Sequence, residues 1–296
     1  MRSTPLRFCP DLSQRVGREL WLKLENRQVS GSFKMRGALN AVLAGAPVTP
    51  IVAAASAGNH ACALAVAARI AGRDAVLFVP RGAPQAKIDR IREAGGQVRQ
   101  VEGDYDDAEA AAASWARGRT DVDLVHAFDD ARVVEGQATL GLEVLEQHHG
   151  VRTVIAPVGG GGLLAGLLAA CATEGVSVLG AQGDRTRAVY DALATGTAGP
   201  TAVVPTILDG LAGRTTQTAV DRLLEASARV ELVSEAQVAE AVRALHGLGE
   251  RVEGSGAVGL AALLAGVYDP AGPVAIIVSG GNIDDAVLAE VLAGSI

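Results

Sequence analysis

The sequence predicts an α/β protein in which mostly parallel sheets are covered by helices on both faces. Two patterns predict this class: short β-branched runs recur along the chain, and Ala-rich amphipathic segments separate them. In addition, three of the runs end in clusters of Gly, Ser and Asn that precede a helical pattern. Because ligands of such sheets bind beyond the carboxyl ends of the strands, these clusters are the candidate sites.

The strands are predicted from apolar, mostly β-branched runs of four or five residues. In chain order they are 51–54, 75–79, 97–101, 124–127, 153–156, 177–181, 229–233 and 274–278. Helices fill most intervals, and two have clear ends. The helix at 84–94 opens with a proline and closes before two glycines, and the helix at 235–248 follows Ser234, a predicted N-cap.

The composition favours small-molecule chemistry. With 296 residues, 49% of them hydrophobic, the chain can fill one large or two ordinary domains. Its net charge is −7 and its 26 Lys and Arg residues are scattered, which argues against nucleic acid or an anionic membrane as a partner. No apolar run spans a bilayer and the N-terminus lacks a signal-peptide layout, so we expect a cytoplasmic protein.

A lysine among small and aromatic neighbours is the first candidate catalytic residue. Lys34 lies in the segment 31–38, Gly-Ser-Phe-Lys-Met-Arg-Gly-Ala. Burial disfavours the ammonium form, so such a lysine can offer a free amine to an aldehyde at neutral pH. A lysine taken alone is most often a solvated surface residue, and the case for Lys34 therefore depends on the motifs that follow.

The segment 56–60, Ser-Ala-Gly-Asn-His, joins the predicted strand at 51–54 to a helical run at 61–70. The backbone amides of such a corner and the Ser56 hydroxyl can hold an anion such as a carboxylate. Asn59 adds a neutral hydrogen-bond donor. Ser56 and Asn59 can equally be ordinary cap and turn residues. We interpret His60 as more structural than catalytic, since Lys34 already supplies a base.

Four glycines, Gly159 to Gly162, lie between the strand at 153–156 and a helix that starts near Leu163. Their unobstructed amides suit a phosphate dianion at a helix N-terminus. Two alternatives stay open. The glycines can serve close helix packing, or the pattern Gly160-x-Gly162-x-x-Ala165, with Asp184 as the acidic residue, can bind a dinucleotide.

The last cluster, 279–282, reads Ser-Gly-Gly-Asn and follows the strand at 274–278. The Ser279 hydroxyl at a strand end can bond a pyridine nitrogen without holding that nitrogen protonated. Taken alone, the cluster is a common turn.

In this order and at these separations, the four motifs closely resemble the fold-type II pyridoxal phosphate enzymes, in particular the serine/threonine dehydratase branch. The resemblance covers almost the whole chain, from Thr4 to Asn282. It implies a tryptophan synthase β-like fold with a large domain of residues 1–47 and 128–296, a small inserted domain of residues 48–127, and pyridoxal 5'-phosphate in the cleft between them. It also implies a homodimer.

The resemblance implies a role for each matching residue. Lys34 is expected to form an imine with the cofactor, and Phe33 to pack near its ring. Asn59 is expected to bond the ring hydroxyl and Ser279 the ring nitrogen, with Gly210 and Glu253 beside the ring. The expected phosphate contacts are Gly159, Gly160, Gly161, Gly162 and Leu163. The expected substrate contacts are Ser56, Ala57, Gly58, Asn59 and His60.

The activity implied is an ammonia-lyase that converts L-threonine, L-serine or a related β-hydroxy amino acid to a 2-oxo acid and ammonia. Related serine racemases carry a second serine at the position of Ala57, which disfavours the alternative of a racemase; a β-replacement enzyme also stays open. Several relatives bind a divalent cation through a glutamate that precedes a proline, whereas the matching stretch here, 181–184, reads Ala-Gln-Gly-Asp, so we expect no such metal site. A nicotinamide-dependent oxidoreductase is the remote alternative.

Overall fold

The computed structural model of the protein describes residues 1–44, 49–201 and 204–296. Within these residues the strands are β1 (Leu6–Phe8), β2 (Leu20–Leu24), β3 (Ile51–Ala55), β4 (Asp74–Pro80), β5 (Gln97–Val101), β6 (Val122–Leu124), β7 (Thr153–Pro157), β8 (Ser177–Gly183), β9 (Arg229–Val233) and β10 (Val274–Val278). The helices are α1 (Pro10–Val16), α2 (Lys34–Ala44), α3 (Asn59–Ile70), α4 (Gln85–Glu93), α5 (Tyr105–Ala116), α6 (Ala131–Gln147), α7 (Gly162–Cys171), α8 (Ala188–Thr195), α9 (Gln217–Glu225), α10 (Glu235–Gly247), α11 (Gly254–Leu264) and α12 (Asp285–Ala293).

The larger sheet has six strands in the order β1-β2-β10-β7-β8-β9, and every neighbouring pair is parallel except β1 and β2. Its central strand β10 is buried throughout. Side chains alternate along this strand, so that Ile276 packs in the core on one face and Ile277 in the core on the other. Helices cover both faces, as the continuous apolar runs predict.

The smaller sheet is fully parallel, with strands in the order β5-β4-β3-β6. Its four strands lie between Ile51 and Leu124, within the predicted small domain. The predicted boundary between residues 47 and 48 lies outside the described residues, and the division into domains stays a prediction. The α/β class with helices around parallel sheets is confirmed.

Two larger differences from the sequence prediction concern strands. The strand expected at 124–127 is wrong, because β6 is Val122–Leu124 and the chain then turns around His126, whose Nδ1 accepts the amides of Phe128 and Asp129 at 3.3 and 3.0 Å. Strands β1 and β2 were not predicted. The predicted N-cap Ser234 is confirmed, with a capping box to Gln237.

A buried ion network fixes the start of α2, on which the candidate lysine lies. Arg36 is 1% exposed and donates from Nε and Nη2 to Glu25, both at 2.8 Å. Its Nη1 lies 3.0 Å from Glu143 Oε2 on α6, and Glu143 also pairs with Lys23 of β2 at 2.5 Å. The bidentate geometry holds α2 in one orientation relative to the larger sheet.

Candidate active site

A cavity of about 680 Å³ lies at the carboxyl ends of β3, β7 and β10, where residues of both sheets face it. All the site residues predicted from the sequence line this cavity. They are Phe33, Lys34, Ser56, Ala57, Gly58, Asn59, His60, Gly159, Gly160, Gly161, Gly162, Leu163, Gly210, Glu253 and Ser279. Because parallel strands present their carboxyl ends at one edge, motifs far apart in sequence meet here.

Lys34 is the first residue of α2 and is half-buried in the cavity wall. Its Nζ donates to the Ala127 carbonyl at 2.8 Å and lies 5.3 Å from the centre of the Phe33 ring. Burial lowers the pKa of Lys34 to about 8, so a useful fraction of the side chain is free amine at neutral pH. The chain has two other lysines; Lys23 pairs with Glu143 and Lys87 with Asp209.

The four glycines form a loop that cannot carry side chains at two positions. A Cβ on Gly160 would lie 2.5 Å from the Phe128 ring, and one on Gly162 would lie 2.5 Å from the Phe128 carbonyl oxygen. Gly161, with φ of 104°, caps the ten-residue helix α7. The loop is therefore packed tightly against residue 128.

The amides of this loop, whose residues line the cavity, are free within the described part of the chain. The carbonyls of Gly159 and Gly160 accept hydrogen bonds from Gln182 Nε2 at 3.5 Å and Thr215 Oγ1 at 3.1 Å. Among the described residues, no acceptor is bonded to the amides from Gly159 to Leu163. Free amides at the N-terminus of a helix suit a phosphate dianion.

A second group of free amides lies at the start of α3. Ser56 Oγ accepts the amides of Gly58 and Ala61 at 3.2 and 3.3 Å, which fixes the turn. In the part of the chain that the structure describes, the amides of Ala57, Asn59 and His60 meet no acceptor. This corner can therefore hold a carboxylate across the cavity from the glycine loop.

The His60 side chain lies below this corner and is 3% exposed. Neither ring nitrogen makes a hydrogen bond to another described residue. Burial lowers the pKa of His60 to about 3, and the Lys34 ammonium adds to the shift. The imidazole is therefore neutral at physiological pH, which supports the structural interpretation of this residue.

A hydrogen-bonded chain connects the two sheets beside the lysine. Asn59 Nδ2 donates to Glu253 Oε1 at 2.7 Å, and Asn59 Oδ1 accepts from Asn282 Nδ2 at 2.7 Å. Burial raises the pKa of Glu253 to about 7, and the Asp209 charge adds to the shift. The second Nδ2 hydrogen of Asn59 stays available for a ligand. Gly31, at φ of 75°, packs directly against Asn282.

Ser279 and Gly210 line the cavity from the larger sheet. The Ser279 side chain is buried, and its hydroxyl makes one long bond of 3.4 Å to the Ser255 carbonyl. Gly210 belongs to a short 3-10 turn, Asp209–Leu211, and a Cβ there would lie 2.9 Å from Ser255 Oγ. The Ser279 hydroxyl can therefore turn to a ligand at small cost.

Several cavity residues were missed by the sequence analysis. They are Lys87 and Arg90 on α4, Asp209, Arg214 and Asn282. A usable signal existed for two of them, because α4 follows β4 and its first turns start at the same edge of the sheet as Ser56. The loop residues carried no such signal.

The dinucleotide alternative finds little support in the structure. Asp184, the acidic residue of the dinucleotide pattern, is exposed and does not line the cavity. Among residues 1–44, 49–201 and 204–296, no group of three His, Cys, Asp or Glu side chains could hold a metal ion. No helix in these ranges is long and apolar enough to cross a membrane.

Fold and site together define an enzyme whose cavity is lined by a lysine of lowered pKa and by two groups of free backbone amides. Residues 1–280 match the model of the family described as pyridoxal-phosphate dependent enzyme, and the chain belongs to this family. It is 39% identical to the L-threonine ammonia-lyase of Thermotoga maritima, over 95% of this chain and 71% of that protein. It is 34% identical to the beta-hydroxyaspartate dehydratase of Paracoccus denitrificans, over 96% and 92% of the two chains. The solved structure of maize serine racemase is similar with a TM-score of 0.91 and 30% identity, over 99% and 92% of the chains.

The cofactor of this family fits the residues present. Pyridoxal phosphate needs a primary amine for its aldehyde, donors for its phosphate and partners for its ring. The cavity offers the Lys34 amine of lowered pKa, a loop of free amides in which a Cβ on Gly160 or Gly162 would collide, and the under-used Ser279 hydroxyl. These features favour the phosphate interpretation of the glycine loop over the dinucleotide alternative.

Proposed function

We propose that the protein is a pyridoxal phosphate-dependent ammonia-lyase that removes the β-hydroxyl and the amino group from a β-hydroxy amino acid of the L-threonine or L-serine type. The main support is that one cavity is lined by the half-buried Lys34 amine and by two sets of free backbone amides. The names of the relatives support a lyase but differ in substrate.

In this proposal Lys34 holds the cofactor, and the amides from Gly159 to Leu163 hold its phosphate. Asn59 and Ser279 meet the ring hydroxyl and the ring nitrogen, while Phe33, Gly210 and Glu253 shape the space around the ring. When bound, pyridoxal phosphate supplies an electron sink that acidifies the α-hydrogen of an amino acid.

The protein residues then bind the amino acid and move its protons. The corner of residues 56–60 holds the α-carboxylate, which brings Cα beside Lys34. A free Lys34 amine would accept the α-proton, because its lowered pKa favours the free base. The β-hydroxyl leaves with a proton as water, and one water is taken up again on hydrolysis. The net reaction converts the amino acid to a 2-oxo acid and ammonia.

A racemase is the less favoured alternative, although a serine racemase is among the similar structures. Racemisation needs a second proton carrier on the face opposite Lys34. Ala57 has no hydroxyl, and His60 is buried and neutral with a pKa of about 3. Neither Ala57 nor His60 can therefore supply the second proton carrier.

The test is direct because the chain has three lysines. Borohydride reduction of the holoenzyme followed by peptide mapping should place the reduced cofactor on Lys34 alone. Lys34→Ala should abolish the visible absorbance band and the release of 2-oxo acid from threonine and serine. Lys87→Ala is the matched lysine control for the mapping experiment, since Lys87 pairs with Asp209 at 2.5 Å. A cofactor adduct on Lys23 or Lys87, or undiminished turnover in Lys34→Ala, contradicts the proposal.

Products identify the reaction itself. Ammonia and 2-oxo acid in equal amounts support elimination, recovered substrate of inverted chirality indicates a racemase, and a new thiol amino acid formed with added sulfide indicates β-replacement. The homodimer, which the resemblance implies, and the cytoplasmic location, which the sequence analysis predicts, both stay predictions.

A further inference from the structure

Among the described cationic side chains that line the cavity, Lys87 and Arg214 are in ion pairs, and Arg90 is the exception beyond Lys34. Lys87 Nζ lies 2.5 Å from Asp209 Oδ2, and Arg214 Nε lies 2.9 Å from Asp106 Oδ1. Arg90 also lines the cavity, and within the described ranges no carboxylate lies within 4.0 Å of its guanidinium.

Arg90 lies on α4 and is half-buried. Its Nη1 donates to the main-chain carbonyl of Asn282 at 2.8 Å. This bond uses one of five N–H groups, and the others meet no acceptor in the part of the chain that is described. The guanidinium is thus tethered at one edge and free to bind a planar anion at the other.

The acids of the cavity do not neutralise this charge. The Asp104 side chain caps α5 by accepting the Asp106 amide at 2.9 Å. Burial raises the pKa of Glu253 to about 7, and the nearby Arg90 charge offsets part of that shift, so Glu253 is only partly ionised at neutral pH. An uncompensated cation in a partly closed cavity attracts a ligand anion.

The cofactor phosphate and the substrate α-carboxylate are assigned to other parts of the cavity. The glycine loop suits the cofactor phosphate, and the free amides of Ala57, Asn59 and His60 suit the α-carboxylate at the start of the twelve-residue helix α3. With the cofactor phosphate and the substrate α-carboxylate held at these two places, the remaining N–H groups of Arg90 have no partner among the described residues.

We propose that Arg90 binds a second, distal carboxylate of the substrate, so that the preferred substrates are β-hydroxy amino acids with an acidic side chain. The proposal rests on the proposed function and narrows its substrate class; 3-hydroxyaspartate is the smallest such compound. The guanidinium fork matches a carboxylate with two parallel hydrogen bonds, which a lysine ammonium cannot reproduce.

The first experiment compares kcat/KM for 3-hydroxyaspartate and for threonine in the holoenzyme. Arg90→Gln should lower the value for 3-hydroxyaspartate about 10- to 100-fold, as expected for a charged hydrogen-bonded pair, and change that for threonine less than about threefold. The kcat/KM of Arg90→Lys for 3-hydroxyaspartate should lie between the values of the wild type and of Arg90→Gln. Arg92→Gln is the matched control, because Arg92 lies on the same helix, is exposed and pairs with Asp89 at 3.3 Å.

Equal losses for both substrates overturn the proposal, because they assign Arg90 to the α-carboxylate or to packing between α4 and Asn282. A wild-type enzyme that prefers threonine to 3-hydroxyaspartate overturns it as well.

A binding measurement separates this inference from the proposed function. Calorimetric titration of the holoenzyme with succinate and with butyrate compares two acids that differ in one carboxylate. Succinate should bind more tightly, and Arg90→Gln should remove the difference. If no β-hydroxy amino acid releases ammonia but this difference is found, the proposed function fails and the anion site stands. If threonine releases ammonia and succinate binds no better than butyrate, the inference fails and the function stands.

Discussion

The glycine loop offers a quantitative test, because two of its positions differ sharply in available space. A Cβ on Gly162 would lie 2.5 Å from the Phe128 carbonyl oxygen and 3.0 Å from Phe128 Cα. Since non-bonded carbon atoms prefer separations of about 3.5–4.0 Å, the backbone at one of the two sites must move by about 1 Å. A Cβ on Gly159 would lie 3.6 Å from its nearest neighbours, an ordinary contact.

We expect Gly162→Ala to bind the cofactor phosphate more weakly than the wild type does. Overpacking of this kind costs about 1–3 kcal/mol, and if the strain is relieved by displacing the loop amides, cofactor affinity falls about 5- to 150-fold. Gly159→Ala keeps the same amides and adds the same methyl group without a collision, so its affinity should stay within about threefold of the wild type.

The assay is equilibrium dialysis of the apoproteins against pyridoxal phosphate, with urea unfolding as a check that each variant is folded. Equal cofactor affinity in Gly162→Ala and the wild type would refute the reasoning from Phe128. An equal loss of cofactor affinity in Gly162→Ala and Gly159→Ala would show that any side chain in the loop weakens binding, whatever its distance from Phe128.

Three further predictions concern charge. The rate at which apoprotein joins the cofactor, followed by stopped-flow absorbance, should rise with pH up to about 8 and then level off, because the free amine of Lys34 reacts; a rate independent of pH contradicts this. Because the pKa of Glu253 is raised to about 7 in the folded protein, its carboxyl ionises at lower pH in the unfolded chain, and the folded state loses stability as pH rises from about 4.5 to about 7. Glu253→Gln should therefore be more stable than the wild type by up to about 3 kcal/mol at pH 8 and equally stable at pH 4. Urea unfolding at the two pH values measures this difference. Arg36→Met should cost about 3–5 kcal/mol of unfolding free energy, because Glu25 and Glu143 lose their buried partner; a loss below about 1 kcal/mol is the contrary result.

The alternation of short apolar runs with amphipathic helical segments was sufficient to predict the α/β class, since both patterns are local properties of the chain. The exact limits of β5, β9 and β10 were predicted, because turn residues flank apolar runs there. Strand β2 was missed for a tertiary reason. Lys23 interrupts its apolar pattern, and its burial is explained by Glu143, which is 120 residues away.

The sequence by itself determined three of the site motifs, because the segments 56–60, 159–162 and 279–282 each lie between a strand and a helix, and the strands of a parallel sheet end at one edge. Lys34 was predicted from its small and aromatic neighbours. Only the tertiary structure decided their partners. It brought Asn59 within 2.7 Å of Glu253, 194 residues later, and placed Arg90 against the Asn282 carbonyl, 192 residues later. Burial at this junction also lowers the pKa of Lys34 and raises that of Glu253. Local sequence encodes an element and its ends, whereas the pairing of distant side chains and their loss of solvent follow from how the elements pack.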